Sequence, residues 1–116
     1  MSKPTPKAVL RAIEARDGHV CVWHGERCGT DTLVPQHRQG GMGGRKNKHR
    51  LSNVVWLCSL TNGLIESDAA MAEEARVRGI KVSLHANPAT IPVRYPHGVF
   101  YLNDDGTRDQ ISDDPY

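Results

Sequence analysis

The chain has 116 residues, enough for one domain with one modest core and too few for two. Hydrophobic residues make up 38% and aromatic residues 5%, so helices and strands alone promise a marginal core and an added staple is expected. The formal charge of +2 is unevenly divided: Gln36 to Arg50 holds Arg38, Arg45, Lys46, Lys48 and Arg50 with no acid, whereas from Asn103 onward Asp104, Asp105, Asp109, Asp113 and Asp114 outweigh Arg108. Such a division fits a polyanion-binding face beside a solvated terminus, or plain solvated surface.

In chain order, MSKPTPKAVLRAIEARDG has no long apolar run. Neither a signal peptide nor a membrane span is expected, and the protein is expected to be cytoplasmic. Thr5 and Pro6 start an amphipathic helix through Ala8, Val9, Ala12 and Ile13 to a stop at Gly18, with Arg11 and Arg16 on its wet side. His19 to Trp23 reads as a short strand, followed by a glycine-containing turn, CVWHGERCG, that carries Cys21, His24 and Cys28. Three cysteines cannot all pair internally, so in a reducing compartment they serve as thiols or metal ligands.

Leu33 to His37 reads as a second strand, and Gly40, Gly41, Gly43 and Gly44 around Met42 make a flexible loop. Val54 to Leu57 is an apolar, buried strand. Ser59 or Thr61 can cap a helix through Glu66, and Ser67 and Asp68 restart or continue it to Gly79. Beyond Gly79 come two or three short strands, with Asp105-Gly106 as the hairpin turn between Val99–Leu102 and Thr107–Ile111. This β appendage closes the core or forms a contact surface, and Asp113 to Tyr116 is a loose tail.

Chemistry concentrates between Leu33 and Asp68. Asn53 follows His37 by sixteen positions, Asn62 follows nine later, and Glu66 four after that. On a helix, Asn62 and Glu66 are one turn apart and face the same way, offering hard oxygen ligands for Mg²⁺ or Mn²⁺. His37 is placed to act as a general base on water, and the side-chain carbonyl of Asn53 can hold its tautomer. Each residue alone has a plainer reading: a structural histidine, a turn asparagine, a helix start and an exposed acid. The loop GGMGGRKNKHR supplies phosphate contacts through Arg45, Lys46, Lys48 and Arg50, with Arg38 upstream and His49 as a further phosphate contact and second-choice base.

The ordered set His37, Asn53 and Asn62, with NVVWLCSLTNGL between, resembles the HNH endonuclease family over about Arg16 to Asp68. The resemblance implies an α+β fold with a ββα-metal core at about 16–79, a C-terminal β appendage at 80–112 and an acidic tail at 113–116, in one domain. It implies His37 as general base, Asn53 as the residue orienting it, and Asn62 and Glu66 as ligands of the catalytic ion. The position before the base, usually Asp or His in active relatives, is Gln36, which offers only a neutral oxygen. Many relatives carry two Cys-x-x-Cys zinc knuckles; here the second reads Cys58-Ser-Leu-Thr61, and threonine is no zinc ligand. Cys28 can replace the missing thiolate, giving Cys21, His24, Cys28 and Cys58 as a structural zinc set. The alternative is that these cysteines pack as small hydrophobes and the staple is lost.

The expectation is therefore a DNA endonuclease dependent on Mg²⁺ or Mn²⁺, similar to small proteins of phages and mobile elements. Its rivals are a catalytically impaired DNA-binding or scaffold module, for which Gln36 speaks, and a zinc-stapled module that meets a protein partner through the β appendage.

Overall fold

The computed structural model describes residues 5–26, 28, 32–40 and 48–114. Helix α1 spans Lys7–Asp17, and the antiparallel pair β1 (Leu33–His37) and β2 (Val54–Cys58) follows. Helices α2 (Ser59–Ser67) and α3 (Ala69–Val77) come next, and then a second antiparallel sheet of β3 (Val93–Tyr95), β4 (Gly98–Leu102) and β5 (Arg108–Ser112). The molecule is α+β, and β1, β2 and α2 follow one another as a strand–strand–helix unit. Among the described residues no helix is long and apolar enough to cross a membrane.

Strand β2 explains how so small a sheet persists. A two-stranded ribbon is marginal in water unless both faces are covered, and all five residues of β2 are buried. Side chains alternate along a strand, so Val55 and Leu57 enter one core with Ile65, Ala75, Ile80, Val93, Tyr95, Phe100 and Leu102. Val54 and Trp56 enter the other with Ile13 of α1. The C-terminal sheet therefore closes the main core. β1 lies at the edge, where Pro35, opposite Trp56, needs no ladder N–H. The indole N–H of Trp56 is buried without a partner, for which the structure offers no account.

The helix boundaries follow local chemistry. Pro6 O accepts the first α1 amides, from Val9 and Leu10, and Gly18 turns the chain out at φ 73°. α2 needs no side-chain cap from Ser59 or Thr61: Cys58 is its N-cap residue, and β2 runs straight into it. Asp68 separates α2 from α3 by accepting the amides of Ala70 and Met71. α3 ends before Gly79, at φ 74°, where a Cβ would meet Pro92 O at 2.0 Å, so that only glycine passes.

Two sequence expectations are corrected. His19 to Trp23 is not a strand but a turn with a single bridge between Cys21 and Gly25, its Val22 amide spent on Trp56 O. Arg16 is not on the wet side of α1. Its side chain is 1% exposed, binds Asp17 through two hydrogen bonds, and donates to the carbonyls of Leu51 and Val54. Asp17 also accepts from Tyr95 Oη at 2.7 Å and from Arg108 at 3.3 Å, so this buried cluster joins α1, β2 and the C-terminal sheet.

Candidate metal centre and the histidine pair

The turn after α1 and the end of β2 bring Cys21, His24, Cys28 and Cys58 together. The Gly25 amide donates to Cys21 O at 2.8 Å and the Cys28 amide to Gly25 O at 3.2 Å, folding the chain into a knuckle around Gly25 at φ 70°. Cys58 arrives from the far end of β2, where it changes into α2. The ligand atoms all lie within 4.8 Å of one another. His24 Nδ1 is 3.6 Å from Cys21 Sγ and 3.7 Å from Cys58 Sγ. Tetrahedral zinc with ordinary bond lengths separates sulfur from nitrogen by about 3.5 Å and sulfur from sulfur by about 3.8 Å. These four residues can hold one metal ion, and three sulfurs with one imidazole are compatible with structural zinc.

The thiols do not behave alike. Burial pushes Cys28 up to about 12, assisted by the neighbouring Cys58 and Cys21 sulfurs. Burial also opposes ionisation of Cys58, but it is overcome by the hydroxyl and amide of Thr61 and by the other two thiols, leaving Cys58 below the ordinary thiol value. Thr61 Oγ1 is 3.1 Å from Cys58 Sγ, so this residue supports a ligand rather than being one. Three thiolates in one place repel, and a divalent cation relieves that conflict. Cys21 and Cys58 are buried and His24 is exposed, toward a cleft lined by Trp23, Leu60, Pro96, His97 and Arg108.

The second candidate region is at the opposite end of β1. His37 and His49 are both half-buried, and His37 Nε2 is 3.1 Å from His49 Nδ1. Desolvation, then the charges of His49 and Lys48, hold His37 below the ordinary histidine value; desolvation and Lys48 do the same to His49. Both rings therefore stay neutral near pH 7.

Asn53 does not orient His37. It is fully buried: its Oδ1 accepts from the Gln39 amide at 2.8 Å, and its Nδ2 donates to Lys48 O at 2.9 Å and Gln39 O at 3.3 Å. One side chain thus ties residue 39 to residue 48 across the basic glycine loop, and the ring that meets His37 belongs to His49. Gln36 is half-buried and donates to His37 O at 3.2 Å. Asn62, half-buried, and Glu66, exposed, share α2 one turn apart. Among the described residues, only the cysteine cluster gathers three or more histidine, cysteine or carboxylate ligands.

The basic residues divide. Arg38 is not a phosphate contact: it is 1% exposed and donates to Gly79 O, Ser52 O, Pro88 O and Ile91 O at 2.6–2.9 Å. Desolvation pushes it down to about 10. Arg50 pairs with Asp104 and also donates to Asn87 Oδ1 at 3.0 Å, so much of its charge is already answered. Lys48 and His49 remain half-buried at the surface, while Arg45, Lys46 and the glycines Gly41, Gly43 and Gly44 lie outside the described residues. Sequence reasoning missed Gln39, whose side chain donates to Ser83 O and Ala86 O, because nothing near it in the chain announces those acceptors.

No family model, curated protein or solved structure matches this chain.

Proposed function

We propose that the chain is a small HNH-type, ββα-metal endonuclease that hydrolyses phosphodiester bonds in DNA, with a structural zinc at Cys21, His24, Cys28 and Cys58. The observation that carries this reading is the position of His37 at the end of β1, its Nε2 3.1 Å from Nδ1 of a second histidine, His49, beside Lys48. In the tautomer where His37 Nε2–H donates to His49 Nδ1, the lone pair of His37 is on Nδ1, which then accepts a proton from water for attack on phosphorus. His49 takes the orienting role first given to Asn53, and Asn53 instead holds the basic loop closed at its base. Lys48, with Arg45 and Lys46, meets backbone phosphates. A divalent ion on Glu66 and Asn62, with the neutral oxygen of Gln36 as a further ligand, would supply charge neutralisation at the phosphate when bound.

Supercoiled plasmid tests this reading. Nicking with Mg²⁺ or Mn²⁺, abolished by EDTA and by His37→Ala, is expected; no nicking with any divalent ion, or full activity in His37→Ala, overturns it. The second reading is a catalytically impaired DNA-binding or scaffold module. It is favoured by Gln36 and by the single carboxylate, Glu66, assigned to the catalytic ion; salt-sensitive DNA binding without cleavage would select it.

A further inference from the structure

The chain after His37 is fixed by the Arg38 amide donating to Asn53 O at 2.8 Å, and the chain before His49 by Asn53 Nδ2 donating to Lys48 O. Both imidazoles are thus carried on backbone anchored to the same buried asparagine. The facing nitrogens, 3.1 Å apart, share one proton, because a neutral imidazole has one N–H and one lone pair. A metal ion taking two imidazole nitrogens at ordinary bond lengths holds them about 3.0 Å apart in adjacent octahedral positions and about 3.3 Å apart in tetrahedral ones. The observed separation falls between these limits, so a rotation of the rings is enough to turn both lone pairs onto one ion.

We propose that His37 and His49 form a second, exchangeable metal site, selective for late first-row transition ions such as Zn²⁺ and Ni²⁺ and separate from the cysteine cluster. Imidazole pairs favour these ions over Mg²⁺, which prefers oxygen. Two ligands leave the remaining positions to water or a phosphate oxygen. Partial exposure of both rings gives an ion access, and the adjacent Lys48 keeps affinity modest. Resting on the endonuclease reading, the consequence is inhibition: coordination through Nε2 confines the ring proton of His37 to Nδ1, and the base loses its lone pair.

The test uses the full chain with its cysteine site already filled, titrated calorimetrically with Zn²⁺ under excess Mg²⁺. One further ion per chain is expected, bound at least tenfold more weakly by His37→Ala and by His49→Ala but unchanged by His85→Ala, which removes an exposed histidine elsewhere. No further ion, or a further ion retained equally by both variants of the pair, overturns the site. Plasmid nicking is read separately. Wild-type nicking that continues undiminished with the second ion bound overturns the inhibitory role, whereas zinc binding without nicking under any condition leaves the site standing and removes the endonuclease reading alone.

Discussion

Asn53 and Gln39 are joined twice, the Gln39 amide donating to Asn53 Oδ1 at 2.8 Å and Asn53 Nδ2 donating to Gln39 O at 3.3 Å, while the same Nδ2 reaches Lys48 O. The asparagine thereby ties residue 39 to residue 48 through one buried side chain. Replacing it removes three hydrogen bonds and leaves a buried amide and a buried carbonyl without partners. Asn53→Ala is expected to cost about 2–4 kcal/mol of stability, since each unsatisfied buried group costs about 1–3 kcal/mol. Asn53→Asp keeps the acceptor for Gln39 but places an anion against two carbonyls, so it should be no milder. Urea unfolding measures both, and a loss below about 0.5 kcal/mol in Asn53→Ala would show that water replaces the clamp.

On Arg38, four carbonyls from three separate segments converge on one guanidinium: Ser52, Gly79, and Pro88 with Ile91 of one turn. Arg38→Lys has three donors in a different geometry and strands at least one carbonyl. A loss of about 3 kcal/mol or more is expected for Arg38→Ala and a smaller but clear loss for Arg38→Lys. At temperatures where Arg38→Lys remains folded, its DNA affinity and salt slope should match wild type, whereas Lys48→Ala should reduce the slope by about 0.9. A reduced slope in Arg38→Lys would return this residue to the phosphate-contacting set.

These two residues also mark what a sequence can carry. VVWLC announces a buried strand because both of its faces are covered, which removes the polar alternation of a half-exposed strand. Asp105-Gly106 announces a hairpin because turn chemistry is local, and β4 and β5 flank it as expected. The cysteine and histidine positions were legible through their spacing, Cys28 supplying what Thr61 could not. Arg16 and Arg38 read as wet cations in the sequence because they donate to backbone carbonyls 14–53 residues away, and a main-chain carbonyl has no residue-type signature. His49 as the partner of His37 was hidden for the same reason: twelve residues separate them and only the hairpin joins their positions.

Chelation should unfold the protein if the knuckle is a staple. One zinc per chain is expected in metal analysis, and a strong chelator should lower the melting temperature in step with zinc loss. Cys58→Ser should be the most damaging ligand change, because Cys58 is buried where β2 meets α2; His24→Ala, at an exposed ligand, should cost less. Zinc-free protein with an unchanged melting temperature would make the cluster three packed thiols and a surface histidine.

Acid stability tests the contact between the basic segment and the acidic C-terminal hairpin. Hydrogen bonding to Arg50 holds Asp104 below the ordinary carboxylate value against desolvation, and Ser52 adds to the effect. A lowered folded-state value means that this stabilisation is complete above the unfolded value, about 3.9, and is lost as pH falls through the folded one. Asp104→Asn should therefore flatten the acid limb of stability against pH below about 4. At pH 7 the half-exposed pair should contribute about 1 kcal/mol or less. An unchanged acid limb in the variant would place the stabilising carboxylates elsewhere.

The catalytic proposal turns on a base kept neutral by its surroundings and an ion held by few charges. Desolvation, then His49 and Lys48, lower His37, so its proton-accepting form persists below the ordinary value of about 6.5. The acid limb of nicking activity should accordingly lie at lower pH than an ordinary imidazole base would give. His49→Gln removes one of the lowering charges while retaining a polar partner, so the acid limb should move to higher pH with the plateau reduced. Gln36→Asp adds a carboxylate beside the base and should lower the Mn²⁺ concentration needed for cleavage; Glu66→Gln removes the carboxylate assigned to the ion and should raise it. Binding to uncleaved DNA should change little in either, because the proposed phosphate contacts are the cations around Lys48 and not residues 36 or 66. Identical metal dependence in wild type, Gln36→Asp and Glu66→Gln would mean that the ion is held by other residues, and an acid limb unmoved by His49→Gln would remove His37 as the group whose protonation it reports.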